Sequence, residues 1–166
     1  KIGTGGMGNV FKVRHLELGK PFALKIIHGE LSENQHARDM FYSEARLASS
    51  LEHRNIVSIT DFGEDIRRGA FIVMELLKGE SLADRLDQTR ILPQITTVDI
   101  IAQTADALAF MHEGGVIHGD IKPENVFLCV GGLRERRRNH VKVLDFGLAR
   151  LKRAQTMHRL NEQLAG

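Results

Sequence analysis

The order of five short motifs is the feature that most limits how this chain can fold. Residues 3–10 read GTGGMGNV, a G-x-G-x-x-G-x-V loop, and Lys25 and Glu44 follow it. Residues 118–125 then read HGDIKPEN, and residues 145–147 read DFG. A backbone that closes over phosphate groups needs glycines at its contact points, because its N–H groups can then reach the anion. The order therefore indicates a site for a nucleoside triphosphate and its metal ion.

The composition is that of an ordinary soluble chain and argues against two classes of partner. Of the 166 residues, 42% are apolar and 27% are charged, and the net charge of +2 is too small to indicate nucleic acid or a membrane surface. No run of about 18 apolar residues appears, so we expect no membrane segment in this chain. The single cysteine, Cys129, stands in an apolar run and is expected to be a buried thiol.

Apolar periodicity predicts that the first part of the chain is rich in strands. The pattern predicts four strands, at residues 9–14, 22–28, 56–63 and 71–77. A β-rich segment thus follows the glycine loop, whereas a dinucleotide-binding turn would lead into a helix. Residues 32–35 have capping-box spacing and can begin a helix that continues through residue 52.

Longer helical segments are predicted after about residue 78. Ser81 and Asp84 have capping-box spacing before a short helix. Thr97 can begin a longer helix that ends at Glu113, before two glycines. The predicted apolar face of that helix consists of Ile101, Ala105, Leu108 and His112. Two short strands are predicted at residues 126–130 and 141–144, and a linker between the two parts at about residues 75–80.

Residues 120–125, which read D-x-K-P-E-N, and the later DFG together resemble the protein kinases of eukaryotic type, and among them the Ser/Thr kinases found in bacteria. The resemblance implies an α+β, bilobal kinase fold. Residues 1–77 would form a nucleotide-binding N-lobe, an antiparallel sheet with one helix, and residues 78–166 a partial, mainly helical C-lobe. It also implies ATP-dependent phosphoryl transfer to Ser or Thr hydroxyl groups of protein substrates, with Mg²⁺.

The resemblance implies a role for each residue of the polar motifs. Asp120 would accept the proton of the incoming hydroxyl group, and Lys122 would neutralise the phosphoryl group during transfer. Asn125 and Asp145 would hold Mg²⁺, a hard cation that prefers oxygen ligands.

The first part of the chain would supply most of the nucleotide site. In the family a lysine such as Lys25 contacts the α- and β-phosphates and pairs with a helix glutamate, here Glu44. A lone lysine on a strand would ordinarily face solvent, but the distance of Lys25 from the glycine loop favours the phosphate contact. The other nucleotide-binding residues that the resemblance implies are Gly3, Gly5, Gly8, Val10, Ala23, Met74, Glu75, Leu77 and Phe127.

Departures from the family pattern keep other functions open. Gly119 stands where the family usually has an arginine that pairs with a phosphorylated activation loop, so control by a phosphate on Thr156 is in doubt. The triplet His-Gly-Asp also occurs in kinases of small molecules such as aminoglycosides. A nucleotide-binding pseudokinase with a regulatory role is the second alternative, although the residues expected to act on ATP are retained. Ala48 is smaller than the apolar residue usual at its position.

The chain ends soon after residues 145–147, before the further helices of a kinase domain. We therefore expect residues 1–166 alone to be a weak fold and a poor enzyme, with Ile101 and Leu108 partly exposed. For the parent protein we expect a cytoplasmic location, or the cytoplasmic face of a membrane if an anchor lies outside this chain.

Overall fold

The structure, a computed structural model, describes residues 1–5, 8–27, 35–65, 67–130 and 140–145. These residues divide into two compact units. The first contains the described parts of Lys1–Ser50 and Ile59–Leu76. The second contains Leu51–Ser58 and the described residues from Leu77 onward. The chain thus leaves the first unit after Leu76, and nothing in the sequence pattern indicated that residues 51–58 group with the later part.

Five antiparallel strands form the sheet of the first unit, in the order β1-β2-β3-β5-β4. They are β1 (Gly3–Gly5), β2 (Gly8–Arg14), β3 (Pro21–Ile27), β4 (Ile59–Asp65) and β5 (Gly69–Glu75). Burial alternates along β3, where Ala23, Lys25 and Ile27 occupy the buried face. This alternation is the period of two that an extended backbone produces.

The predicted strands agree with the observed strands except in three places. β1 was not predicted, because its three residues belong to the glycine loop. The strand predicted at residues 71–77 lies two residues earlier in the chain. The strand predicted at residues 56–63 begins only at Ile59, because Ile56 forms a parallel bridge with Val143 of the second unit.

A helix, α1 (Gln35–Ser49), packs its apolar side on this sheet. It buries three residues at the i, i+4 and i+7 spacing of one helix face, Phe41, Ala45 and Ala48. The Phe41 ring packs in one cluster with Ile27 and Ile72, so the helix covers the sheet face that also carries Lys25. The predicted capping box at residues 32–35 falls largely outside the described residues.

A second antiparallel sheet, with strand order β6-β7-β8, lies in the second unit. Its strands are β6 (Gly79–Ser81), β7 (Val126–Cys129) and β8 (His140–Val143). Helix α2 (Leu82–Thr89) begins after Ser81, and the predicted capping box is confirmed. The Asp84 N–H donates to Ser81 Oγ (3.0 Å), and the Ser81 N–H donates to Asp84 Oδ2 (3.1 Å). The Ser81 hydroxyl also donates to Asp84 Oδ2 (2.6 Å), and this bond, followed by the one from the Ser81 N–H, lowers the pKa of Asp84 below its usual value.

Helix α3 (Gln94–Glu113) begins three residues before the predicted start at Thr97. Pro93 takes the capping position, and the Thr97 N–H already donates to its carbonyl (3.0 Å) as part of the first turn. The predicted apolar face is also wrong, since the buried residues of the helix are Ile100, Ala107 and Met111. Ile100 packs on the sheet with Val126, Leu128 and Val141. The predicted partial exposure is found at both residues, since Ile101 is 62% exposed and Leu108 is intermediate between buried and exposed.

No helix in the described part of the chain is both long and apolar enough to span a bilayer.

Asn55 joins the segment before β4 to both β8 and α3. Its side chain is 1% exposed, and Nδ2 donates to the Val141 carbonyl (2.8 Å) and to Gln103 Oε1 (2.9 Å). Its backbone carbonyl accepts from the Val143 N–H (2.8 Å). Since a buried polar group left unpaired is costly, this residue ties three segments of the second unit together.

The variant Asn55→Ala is expected to lower the free energy of unfolding by about 2–4 kcal/mol, because it breaks a buried network and leaves the Val141 carbonyl short of a donor. Urea denaturation would measure the loss. The neighbouring exposed residue supplies the control, since Arg54→Ala should change the value by no more than about 0.5 kcal/mol. A loss below about 1 kcal/mol for the Asn55 variant would contradict the assigned role.

Candidate active site

The pairing of β7 with β8 brings two predicted metal ligands to one end of a hairpin. Val126 lies opposite Val143, so the residue before β7 and the residues after β8 emerge side by side. A short 3-10 turn, Pro123–Asn125, ends where β7 begins, and the Leu144 N–H donates to the Asn125 carbonyl (2.8 Å). Asp145 follows directly. The backbone pairing of the hairpin therefore sets the separation of Asn125 from Asp145.

His118 stabilises this arrangement through contacts with the backbone on both sides of its ring. Its side chain is 1% exposed, and its Nε2 atom lies 2.8 Å from the Leu144 carbonyl oxygen. The Asp120 N–H donates to Nδ1 (3.2 Å), so Nδ1 accepts and the ring proton lies on Nε2. A neutral His118 thus binds the residue before Asp145 and the backbone of Asp120 at once.

Asp120 has two polar neighbours within its own loop. Lys122 Nζ lies 3.1 Å from Asp120 Oδ2, and the two side chains remain 39% and 29% exposed. Asn125 Nδ2 donates to the Asp120 carbonyl (2.7 Å) and lies 3.4 Å from Oδ2. The carboxylate is therefore held in place by a cation and an amide while it stays accessible to a substrate.

The donor set of the loop fits a magnesium ion. Asn125 is 5% exposed and uses its amide nitrogen on Asp120, which leaves the amide oxygen to face another partner. Asp145 supplies a carboxylate and adopts a positive φ of 57°, a conformation that aspartate tolerates better than most residues. Within the described residues no group of three or more His, Cys, Asp or Glu could hold a metal. Mg²⁺ usually takes one or two protein oxygens and completes its shell with phosphates and water, so the set is sufficient.

Acidification is expected to destabilise the second unit through His118. Burial lowers the pKa of His118 below the ordinary value of 6.5, and the bond to Leu144 and the charges of Asp120 and Asp145 offset only part of this. The unfolded residue therefore binds a proton at a higher pH than the folded one. Its contribution to stability is complete above about pH 6.5 and declines as the pH falls below that value.

Melting curves of the wild type and of His118→Gln, recorded from about pH 8 down to about pH 5, would measure this effect. The difference between their melting temperatures should narrow as the pH falls. Parallel curves across that range would contradict the prediction.

Four predicted nucleotide residues of the first unit, Val10, Ala23, Lys25 and Met74, share one face of its sheet. Val10 lies opposite Lys25, Lys25 lies opposite Ile72, and Ala23 lies opposite Met74. Directly opposed residues of antiparallel strands point to the same side, and so do residues two apart on one strand. The sheet therefore presents an apolar surface with one buried ammonium group, since Lys25 is 4% exposed.

The predicted pair between Lys25 and Glu44 stays a prediction. Glu44 lies in α1 between the buried residues Phe41 and Ala45, but its side chain lies outside the described residues. Lys25 has polar or electrostatic contacts of its own, as a buried lysine requires.

Gly8 is the loop glycine at which strand pairing excludes a side chain. A Cβ atom there would collide with the Ile26 carbonyl oxygen and would lie 2.9 Å from its carbon. At Gly3 the same atom would lie 3.7 Å from Val10 Cβ, an ordinary contact. The third glycine of the motif is therefore required by the fold of the hairpin itself, and the first is not. Gly5 pairs with Gly8 across β1 and β2.

Three further predicted nucleotide residues are distributed over both units. Glu75 ends β5 in the first unit, whereas Leu77 belongs to the second. Phe127 lies on β7 of the second unit, opposite Lys142. A nucleotide site that combines these residues with the glycine loop stays a prediction. Thr156 and Phe146 lie outside the described residues.

Sequence reasoning missed the supports of the site. Neither Leu144, whose backbone joins His118 to Asn125, nor Asn55 was a candidate. The local signal for Asn55 is a single amide before the apolar pair Ile56-Val57, which is too weak to single it out.

The fold and the two groups of residues are typical of an enzyme that transfers a phosphoryl group from a nucleotide. The chain belongs to the protein kinase family, since the family model described as "Protein kinase domain" matches residues 1–163. The predicted kinase fold, with an antiparallel sheet and one helix followed by a more helical part, is confirmed.

Curated relatives and solved structures agree with this assignment. The chain is 40% identical over 150 residues to the serine/threonine-protein kinase pkn2 of Myxococcus xanthus, covering 90% of this chain and 17% of that protein. It is 36% identical over 153 residues to the serine/threonine-protein kinase PknA of Mycobacterium tuberculosis, covering 90% of this chain and 34% of that protein. The crystal structure of the PknI kinase domain from Mycobacterium tuberculosis superposes with a TM-score of 0.75 at 27% identity, over 89% of this chain and 58% of that one. The chain thus spans 17% and 34% of the length of these two curated relatives.

Proposed function

We propose that this chain carries the catalytic loop of a protein kinase that transfers a phosphoryl group from ATP to Ser or Thr hydroxyl groups of proteins. The observation that carries the proposal is the 3.1 Å contact between Lys122 Nζ and Asp120 Oδ2. It supports the D-x-K reading of the motif, in which a base and a cation stand together at the reacting group. Two relatives that match 90% of the chain are named as serine/threonine-protein kinases.

Each predicted site residue of the second unit has a distinct role in the proposed reaction. Asp120, partly exposed and held by Asn125, accepts the proton of the substrate hydroxyl group. Lys122 offsets the negative charge of the phosphoryl group while it moves from ATP to the substrate hydroxyl oxygen. Asn125 and Asp145 hold Mg²⁺, which neutralises charge on the phosphate oxygens when bound. The protein kinase family generally uses ATP and Mg²⁺.

Lys25 and the glycine loop would bind the phosphates from the first unit. The support is that Lys25 is buried on the sheet face that also carries Val10. Gly3 of the glycine loop lies opposite Val10, so Lys25 is two strands away from Gly3. The two alternatives, a small-molecule kinase and a pseudokinase, receive no support from the matched relatives. We place the reaction in the cytoplasm, or at the cytoplasmic face of a membrane, where ATP and Mg²⁺ are available.

The test is phosphoryl transfer by the whole natural protein that carries this sequence. With radiolabelled Mg·ATP, general protein substrates and an aminoglycoside offered separately, label should appear on phosphoserine and phosphothreonine only. A matched pair of variants probes the nucleotide contact, since Lys25 is buried and Lys12 is exposed on the neighbouring strand. Lys25→Met should lose transfer and Lys12→Met should retain it. Label on the aminoglycoside alone, or none on any acceptor, would refute the proposal.

A further inference from the structure

We propose that Gly119 is a positioning residue of the catalytic loop, whose left-handed backbone holds Asp120 against His118 and Asn125. The inference rests on the proposed function, because it concerns the loop assigned to proton transfer. It offers a reason for a glycine where the family usually has an arginine, because Gly119 adopts the required backbone conformation without strain.

The backbone geometry of the loop carries the argument. Gly119 has φ +74°, a value that side-chain-bearing L-residues rarely adopt. It stands between His118, which is 1% exposed, and the half-buried Asp120. Within these three residues the chain turns back, so that the Asp120 N–H donates to Nδ1 of His118 (3.2 Å). A bond from a side chain to the N–H two residues later closes a tight turn, and its middle residue must adopt the conformation that the turn dictates.

The same turn orients the contacts of Asp120 with Asn125 and Lys122. Its carbonyl accepts from Asn125 Nδ2 (2.7 Å), and its carboxylate lies 3.4 Å from that nitrogen and 3.1 Å from Lys122 Nζ. Rotating the backbone at residue 119 would move the Asp120 N–H, carbonyl and carboxylate together. One dihedral angle therefore controls the placement of the base relative to the metal ligand Asn125.

Burial does not explain the glycine. Gly119 is exposed, and its positive φ is the feature that favours glycine over other residues at this position. This makes a prediction that side-chain size alone does not make, because asparagine adopts positive φ more readily than the smaller alanine.

The experiment compares Gly119→Ala and Gly119→Asn in the whole natural protein. Gly119→Ala should lower kcat about tenfold, which converts to about 1.4 kcal/mol of barrier, with the KM for ATP little changed. Gly119→Asn should stay within about threefold of the wild type. The ¹⁵N signal of His118 Nδ1 and the amide signal of Asp120 should shift in the alanine variant and stay near wild type in the asparagine variant.

Gly115 supplies the matched control. It has φ +73° and open space around a Cβ atom, but lies outside the loop that holds Asp120. Gly115→Ala should leave kcat and both signals unchanged, whatever it does to the melting temperature.

The following outcomes decide the proposal. Equal losses in the alanine and asparagine variants, or no loss in either, overturn it, and so does a loss of kcat in Gly119→Ala without a shift of the His118 and Asp120 signals. If Gly119→Ala fails to fold, Gly119→Asn decides alone: near-normal turnover and signals support the role, and a tenfold loss overturns it. If the wild type transfers no phosphate, the proposed function fails, and the two signals still test the backbone role by themselves.

Discussion

Phosphoryl transfer is expected to fall by about 10²–10⁴-fold in Asp120→Asn, while binding of Mg·ATP changes by no more than about twofold. Asparagine keeps the size of the side chain and can still contact Asn125, but it cannot take up the proton of the hydroxyl group. It also removes the negative partner of Lys122, which lies 3.1 Å away. Single-turnover kinetics would measure the transfer step, and fluorescence titration with a nucleotide analogue would measure binding.

The control for this variant is an aspartate of the same unit outside the loop. Asp87 is exposed on α2, and Asp87→Asn should leave both transfer and nucleotide binding unchanged. Near-normal turnover in Asp120→Asn would remove Asp120 from the chemistry.

Asp145→Asn is expected to weaken binding of the metal together with the nucleotide. Replacing the carboxylate by a neutral amide removes the charged ligand and leaves Asn125 as the remaining predicted ligand from this loop. The apparent affinity for Mg²⁺ in the presence of ATP should fall at least about tenfold, or about 1.4 kcal/mol, and transfer should fall with it. Titration of nucleotide binding with MgCl₂ would show the shift.

The two variants separate chemistry from metal binding. Asp120→Asn should keep the magnesium titration of the wild type, and Asp145→Asn should move it. With the metal removed by a chelator, wild type and Asp145→Asn should bind the nucleotide alike. A normal magnesium titration in Asp145→Asn would show that Asp145 is not a ligand.

Local sequence signals predicted the elements whose contacts are local. The capping box at Ser81 and Asp84 is contained in four residues and forms as expected. Predictions failed where distant residues decide the outcome. Ile56 looks like part of a strand, but it pairs with Val143, which lies far later in the chain and belongs to the same second unit.

Helix α3 shows the same limit. Two possible apolar faces run along it, and the one that contacts Val126 and Val141 of the second sheet is buried. Periodicity alone could not choose between Ile100 and Ile101, because both belong to apolar rows.

The residues of the site were easier to predict than the structure that holds them. Asp120, Lys122 and Asn125 stand within one motif, and their spacing already places them together. Their supports depend on backbone atoms, such as the Leu144 carbonyl that faces His118, and a backbone atom leaves no mark in composition. The positive φ of Gly119 is likewise invisible until the turn around it is seen.

The β7–β8 hairpin keeps the chain that connects its two strands apart from the predicted metal ligands Asn125 and Asp145. The chain that connects the strands leaves them at Cys129 and His140, whereas Asn125 and Asp145 lie beyond the opposite end, past Val126 and Val143. About 10 Å of paired backbone lies between the two ends. We therefore expect residues added between Cys129 and His140 to leave the register of the hairpin unaltered, and with it the spacing of the two predicted metal ligands. A reporter peptide inserted there should accordingly leave turnover unchanged.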